Sequence, residues 1–124
     1  MKKITLLVLS TILVSGMSMA QSSTKMLKHV VLFGWKEGAD SAAVDNVVKA
    51  FVALPGKISS VKAFEWGTNN SPEKLNQGLT HCFVLSFSSE EDRNAYLTNP
   101  DHVAFTKMLP PVLDKVTVFD YWAQ

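Results

Sequence analysis

The spacing of apolar residues changes along the chain. Over residues 28–36 it is two: His29, Val31, Phe33 and Trp35 fall on one side, Val30, Leu32 and Gly34 on the other. That period predicts a strand, and its two largely apolar sides place it inside a sheet. Val44, Val47, Val48, Phe51 and Leu54 then recur at intervals of three and four, the single stripe of a helix. Asp40 or Ser41 can cap this helix, and Leu54-Pro55-Gly56 is expected to end it. Alternation returns over 61–67, with Phe64 and Trp66 on one side. It returns again over 79–87, where His81, Phe83, Leu85 and Phe87 oppose Thr80, Cys82, Val84 and Ser86. Residues 68–78 between these strands are rich in Asn, with Ser, Pro and Gly, and read as a loop.

Ser88-Ser89-Glu90-Glu91 predicts a capping box in which Ser88 and Glu91 bond each other's backbone N–H. The helix it opens carries Tyr96 and Leu97 and must bend or stop before Pro100. Asp101 can cap a second helical piece with Val103, Phe105, Met108 and Leu109, closed by Pro110-Pro111. Residues 115–122 form the last strand, Val116 and Val118 opposite Thr117, Phe119 and Tyr121.

The order β-α-β-β-α-β predicts an α+β, ferredoxin-like βαββαβ fold: an antiparallel four-stranded sheet with helices on one face. The first and third strands are then central, and the uncovered sheet face carries more apolar surface than a soluble monomer usually tolerates. A second copy packed sheet to sheet removes the problem, so a homodimer in the form of a dimeric α+β barrel is expected.

Residues 1–20 read differently from the rest. Lys2 and Lys3 precede an apolar run from Ile4 to Val14, and Ser18-Met19-Ala20 supplies small residues for cleavage, the pattern of a signal peptide. The run is short for a membrane span, which needs about 20 residues. The expectation is an exported protein, periplasmic or secreted and free of the membrane once cleaved. Residues 21–27 would form a flexible N-terminal segment, and 28–122 one α+β barrel domain. Twelve Lys and Arg against eleven Asp and Glu leave the chain near neutrality, and the leader takes two of the lysines. No basic excess remains to support nucleic-acid binding. Cys82, the single cysteine, cannot form an internal disulfide and is expected to be a small buried hydrophobe.

The candidate chemistry lies in His29, His81, His102 and Tyr96. His29 and His81 sit on the strand sides with the larger apolar residues. Because their strands run antiparallel, they fall toward opposite ends of the sheet. The break at Pro100 can place Tyr96 and His102 over the sheet between them. A neutral imidazole takes a proton near neutral pH, and a phenol beside it can donate a hydrogen bond to a developing oxyanion. Asp101 and Asp120 are candidates to orient a His, or else a helix cap and a solvated strand-end residue. The histidines are far apart in sequence, with no pair on one helical turn, so no metal site is expected. No phosphate loop, nucleophile elbow or Cys motif appears, and no cofactor is expected.

Lys28-His29-Val30-Val31-Leu32-Phe33, Leu79-Thr80-His81, the run from Ala95 to Phe105 and Val118-Phe119-Asp120-Tyr121 resemble the stress-responsive A/B barrel (Dabb) family over 28–122. The Tyr-x-x-x-Pro-x-His segment from Tyr96 to His102 is the most specific part. The resemblance implies a dimeric α+β barrel, and the family includes a plant polyketide cyclase that closes a ring by aldol condensation. It would make His102 the general base, Tyr96 its hydroxyl partner, and His29 and His81 supporting, substrate-binding histidines. Asn99 stands where the family often has another His. The implied function is binding or transformation of a small apolar molecule by His/Tyr acid–base chemistry, through proton abstraction next to a carbonyl with a cyclase, lyase or isomerase outcome. Related dimeric barrels include cofactor-free monooxygenases. The alternative is a non-catalytic dimeric stress-response or scaffold module.

Overall fold

A computed structural model describes residues 24–124; the expected leader over 1–20, and residues 21–23 with it, lie outside the described residues. The elements are β1 (Leu27–Trp35), α1 (Ser41–Lys57), β2 (Ala63–Thr68), β3 (His81–Phe87), α2 (Glu90–Thr98), α3 (Pro100–Thr106) and β4 (Leu113–Trp122). The sheet order is β2-β3-β1-β4, every pair antiparallel. This is the expected ferredoxin-like arrangement, with β1 and β3 central. No helix among the described residues is long and apolar enough to cross a membrane.

Alternation decides which side chains meet the helices. Leu27, Val31 and Phe33 of β1 and Phe83, Leu85 and Phe87 of β3 are buried against Val47, Phe51 and Leu54 of α1, Tyr96 of α2 and Phe105 of α3. Phe51 is the hub: its ring lies 4.2 Å from Phe83, 4.8 Å from Phe105 and 5.9 Å from Phe33. Such pairs add about 0.5–1.5 kcal/mol each beyond area burial.

Among the described residues no helix covers the other sheet face. Val30, Leu32, Cys82 and Val84 are only half-buried there, and Phe119 and Tyr121 are 64% and 44% exposed. Cys82 is thus half-buried on the open face, not enclosed as expected.

Several boundaries differ from the sequence expectation. β1 opens at Leu27, a core residue, so the segment expected to be flexible over 21–27 reaches into the sheet. α1 does not stop at Pro55 but runs to Lys57. Its last turn survives because the Ile58 N–H bonds Leu54 O at 2.9 Å and the Ile58 side chain is buried. Ser89 caps α2 in place of Ser88, accepting from the Asp92 N–H. Asn99, not Asp101, caps α3, accepting from the Asp101 N–H with Pro100 in the first turn.

The long β2–β3 loop is tied down. Thr80 N–H bonds Phe33 O at 2.8 Å, and Lys115 Nζ bonds Gln77 O at 3.0 Å. A Cβ at Gly34 would sit 2.6 Å from Gly78 O, so the loop closes on β1 only because residue 34 has no side chain.

Candidate active site

Four elements, β1, β4, α2 and α3, contribute side chains at the β1–β4 end of the sheet. His29, only 5% exposed, faces the helices from β1 and is paired in register with Asp120 of β4. Its Nδ1 donates to Asp120 Oδ1 at 2.6 Å. The second oxygen of that carboxylate accepts from Nη1 of Arg93, on α2, at 2.5 Å. One turn further along α2, Tyr96 is fully buried, its ring 6.0 Å from His29 and 4.5 Å from His102.

The helix break creates the Tyr96–His102 contact. Six positions along an unbroken helix turn by about 240° beyond a full rotation and would put these residues on different sides. Here α2 ends as Asn99 N–H bonds Tyr96 O, and Asn99 then caps α3, so the chain redirects at Pro100 and folds His102 back onto Tyr96. His102 Nδ1 donates to Leu97 O at 3.0 Å, which leaves Nε2 with a free lone pair.

The Tyr96 hydroxyl is buried and has no hydrogen-bond partner among the described residues. Burial also pushes its acidity well below that of an ordinary phenol, so it stays protonated. Burial lowers the His102 pKa; the bond to Leu97 O opposes this, and nearby His29 adds to the lowering. His102 is therefore a neutral base near neutral pH.

These groups edge a cavity of about 300 Å³, small for a ligand pocket. Val31, Phe33, Phe51, Phe105, Leu109, Val116 and Val118 make its apolar wall, and His29, Tyr96, His102 and Asp120 its polar end. The arrangement can hold a small apolar molecule, remove a proton at His102 Nε2 and donate a hydrogen bond from Tyr96.

His29, Tyr96 and His102 are thus together; His81 is not. It lies at the opposite end, where Trp35 Nε1 donates to its Nδ1 at 3.1 Å and Trp66 stacks on it at 9°. Burial lowers its pKa as well. It borders a larger cleft, about 670 Å³, between the β2–β3 loop and the open sheet face. Among the described residues no three His, Cys, Asp or Glu side chains are grouped to hold a metal ion.

Sequence reasoning missed Arg93 and left Asp120 with two readings. Arg93 and Tyr96 are three apart on one helix, which puts them on one face. Asp120 opposite His29 requires the β1–β4 register, which no local pattern gives.

Fold and site together define a ferredoxin-like α+β domain with an apolar cleft ending in a His/Tyr pair. Residues 27–123 match the family model of the Stress responsive A/B Barrel Domain, and the chain belongs to that family. It is 39% identical over 95 residues to the stress-response A/B barrel domain-containing protein HS1 of Arabidopsis thaliana, spanning 77% of this chain and 87% of that protein. It is 27% identical over 95 residues to olivetolic acid cyclase of Cannabis sativa, spanning 77% and 94%. Among solved structures, a dimeric protein of unknown function and ferredoxin-like fold from Bacteroides fragilis superposes with a TM-score of 0.65 at 29% identity, covering 79% of this chain and 96% of that one.

Proposed function

We propose that the cleft binds a small, mostly apolar carbonyl compound and moves a proton next to its carbonyl, with His102 as base and Tyr96 as hydrogen-bond donor to the resulting oxyanion. The observation that carries this reading is the Tyr96 hydroxyl, buried without a partner at the polar end of an apolar cavity. Leaving a buried donor unsatisfied costs about 1–3 kcal/mol, and a ligand oxygen would supply the missing acceptor. In the reaction, His102 Nε2 takes the α-proton, and the electron pair moves onto the carbonyl oxygen facing Tyr96. The similarity to a cyclase supports an enzymatic outcome. Titrating the protein with neutral apolar ketones and aldehydes should shift the ring resonances of Tyr96 and His102; silence across such a panel contradicts the reading.

The proposed assembly is a homodimer joined through the open sheet face, exported after cleavage at Ala20. The uncovered Phe119 and Tyr121 and the dimeric relative support the first part; the Lys-apolar-Ser-Met-Ala leader supports the second. A monomer at micromolar concentration in ultracentrifugation contradicts the dimer. An intact leader on protein from an exporting host contradicts the cleavage.

A second reading, a non-catalytic dimeric stress-response module, is favoured by one observation. Each histidine has a partner that can serve structure alone: Asp120 for His29, Trp35 for His81 and Leu97 O for His102. The Tyr96 hydroxyl has no such explanation.

A further inference from the structure

His29 is a buried imidazole that the proposed proton transfer leaves unused, and its surroundings specify its proton. The Asp120 carboxylate can only accept, so the 2.6 Å bond puts the His29 proton on Nδ1. In the neutral ring the remaining nitrogen, Nε2, carries the lone pair, and the ring borders the same cavity as Tyr96 and His102. The carboxylate is itself held from the other side, since Arg93 Nη1 donates to Asp120 Oδ2 at 2.5 Å. Arg93 and Asp120 are each only about one-fifth exposed, and His29 is almost closed off, so little water competes for these bonds. The chain β1–β4–α2 thus links a permanent cation, a carboxylate and an imidazole, each fixing the next.

We infer that Arg93 and Asp120 are positioning residues that fix the Nδ1–H of His29 and leave Nε2 as the nitrogen through which His29 exchanges protons in the cavity it shares with Tyr96 and His102. The inference rests on the acid–base reading of the cavity and adds to it: a proton removed from one carbon by one imidazole can be returned at another position by the other, which selects substrates that isomerise over those that only enolise. Such outer bonds to an imidazole fix both its tautomer and its orientation. Arg93 has the further role of choosing which side of Asp120 meets His29, because a guanidinium accepts nothing and claims an oxygen.

That role is sharpest in Asp120→Asn. With Arg93 in place, the amide oxygen must face Arg93 and the amide NH2 must face His29. The NH2 then donates to Nδ1, and the ring proton moves to Nε2. An amide in place of a carboxylate is known to invert a neighbouring His in this way. In Arg93→Met/Asp120→Asn the amide is free to turn, and the Nδ1 proton returns.

Proton–nitrogen correlation spectra of isotope-labelled histidine, in mildly alkaline solution, read the tautomer directly. The expected series is Nδ1–H in wild type, Nε2–H in Asp120→Asn, and Nδ1–H again in the double variant. A wild-type His29 protonated at Nε2, an uninverted Asp120→Asn, or a double variant that stays inverted would each overturn the inference. Should Asp120→Asn fail to fold, Arg93→Met alone still decides. It is expected to keep Nδ1–H but lose its slow exchange with water, whereas unchanged exchange removes Arg93 from the chain. None of these readouts depends on turnover, so failure of the acid–base reading and failure of this inference appear separately.

Discussion

The rings of Tyr96 and His102 lie 4.5 Å apart, yet among the described residues the Tyr96 hydroxyl has no hydrogen-bond partner. Left without an acceptor, a buried donor costs about 1–3 kcal/mol, which an oxygen of a bound ligand would offset. Tyr96→Phe removes the desolvated oxygen and keeps the ring against His29, Phe87 and His102. The expected result is unchanged stability or a gain of up to about 1 kcal/mol in urea unfolding, together with loss of the His102 ring shift expected on ketone titration. A loss of stability beyond about 1 kcal/mol would mean that the hydroxyl has a structural partner.

Asn99 is where the two helices meet, and it holds His102 in place through backbone geometry. Its side chain caps α3 through the Asp101 N–H. Asn99→Ala should lower stability by about 1 kcal/mol and shift the His102 resonances, since α3 would lose its fixed start. Asp101→Ala leaves that cap intact and should do less on both measures. Equal effects from the two substitutions would contradict the assignment of the cap.

What could be read from the sequence follows from the range of each signal. Alternation around Val31 and Phe83 and the Val47–Phe51–Leu54 stripe are local, and they gave the element order and the helix-facing side. Pro100 forced a break, which made the approach of Tyr96 and His102 legible. Caps were ambiguous because adjacent residues compete: Ser88 with Ser89, and Asn99 with Asp101, have equivalent chemistry, and packing of the helix decides between them. The Arg93–Asp120–His29 chain was not legible. It depends on pairing β1 with β4 across 91 residues, and on how α2 crosses above that edge. The separation of His81 from His29 followed from strand direction alone. Its pairing with Trp35 did not, because those residues become neighbours only through the β1–β3 register.

Acid should weaken the fold before its carboxylates titrate. His102 and His81 both have pKa values lowered below 6.5 by burial. The unfolded chain therefore binds protons more readily than the folded one below about pH 6.5. Their contribution to stability is complete above that value and is lost as pH falls through the folded values. Urea midpoints followed from mildly alkaline to mildly acidic solution should fall over this window, and the fall should be smaller in His102→Gln. Because Trp35 donates to His81 Nδ1, protonating that ring breaks the bond, and tryptophan emission should change over the same window. The change should be absent in His81→Gln. Flat midpoints and unchanged emission in wild type would contradict the direction of both shifts.

Gly34 is required by a close approach, not by its own conformation. A methyl at this position meets Gly78 O at 2.6 Å, and Lys115 and Thr80 hold the loop on both sides of that oxygen. Gly34→Ala should destabilise by about 1–3 kcal/mol, measured by thermal or urea unfolding, and should raise amide exchange over residues 69–80. Gly67→Ala, where added volume meets nothing, should be far milder. Comparable losses from the two would show that the loop does not press on β1.

The most direct test of the acid–base assignment is exchange of the α-protons of small apolar ketones in heavy water, followed by proton resonance. Positioned acid–base groups contribute roughly 10²–10⁴-fold. The wild-type protein should accelerate exchange of at least one ketone that shifts the His102 ring, and His102→Ala should lower that rate by about 100-fold or more. Tyr96→Phe should lower it too while the fold stays intact. Exchange that proceeds equally in wild type and in both variants would contradict the central claim and leave the cleft as a structural feature of a dimeric module.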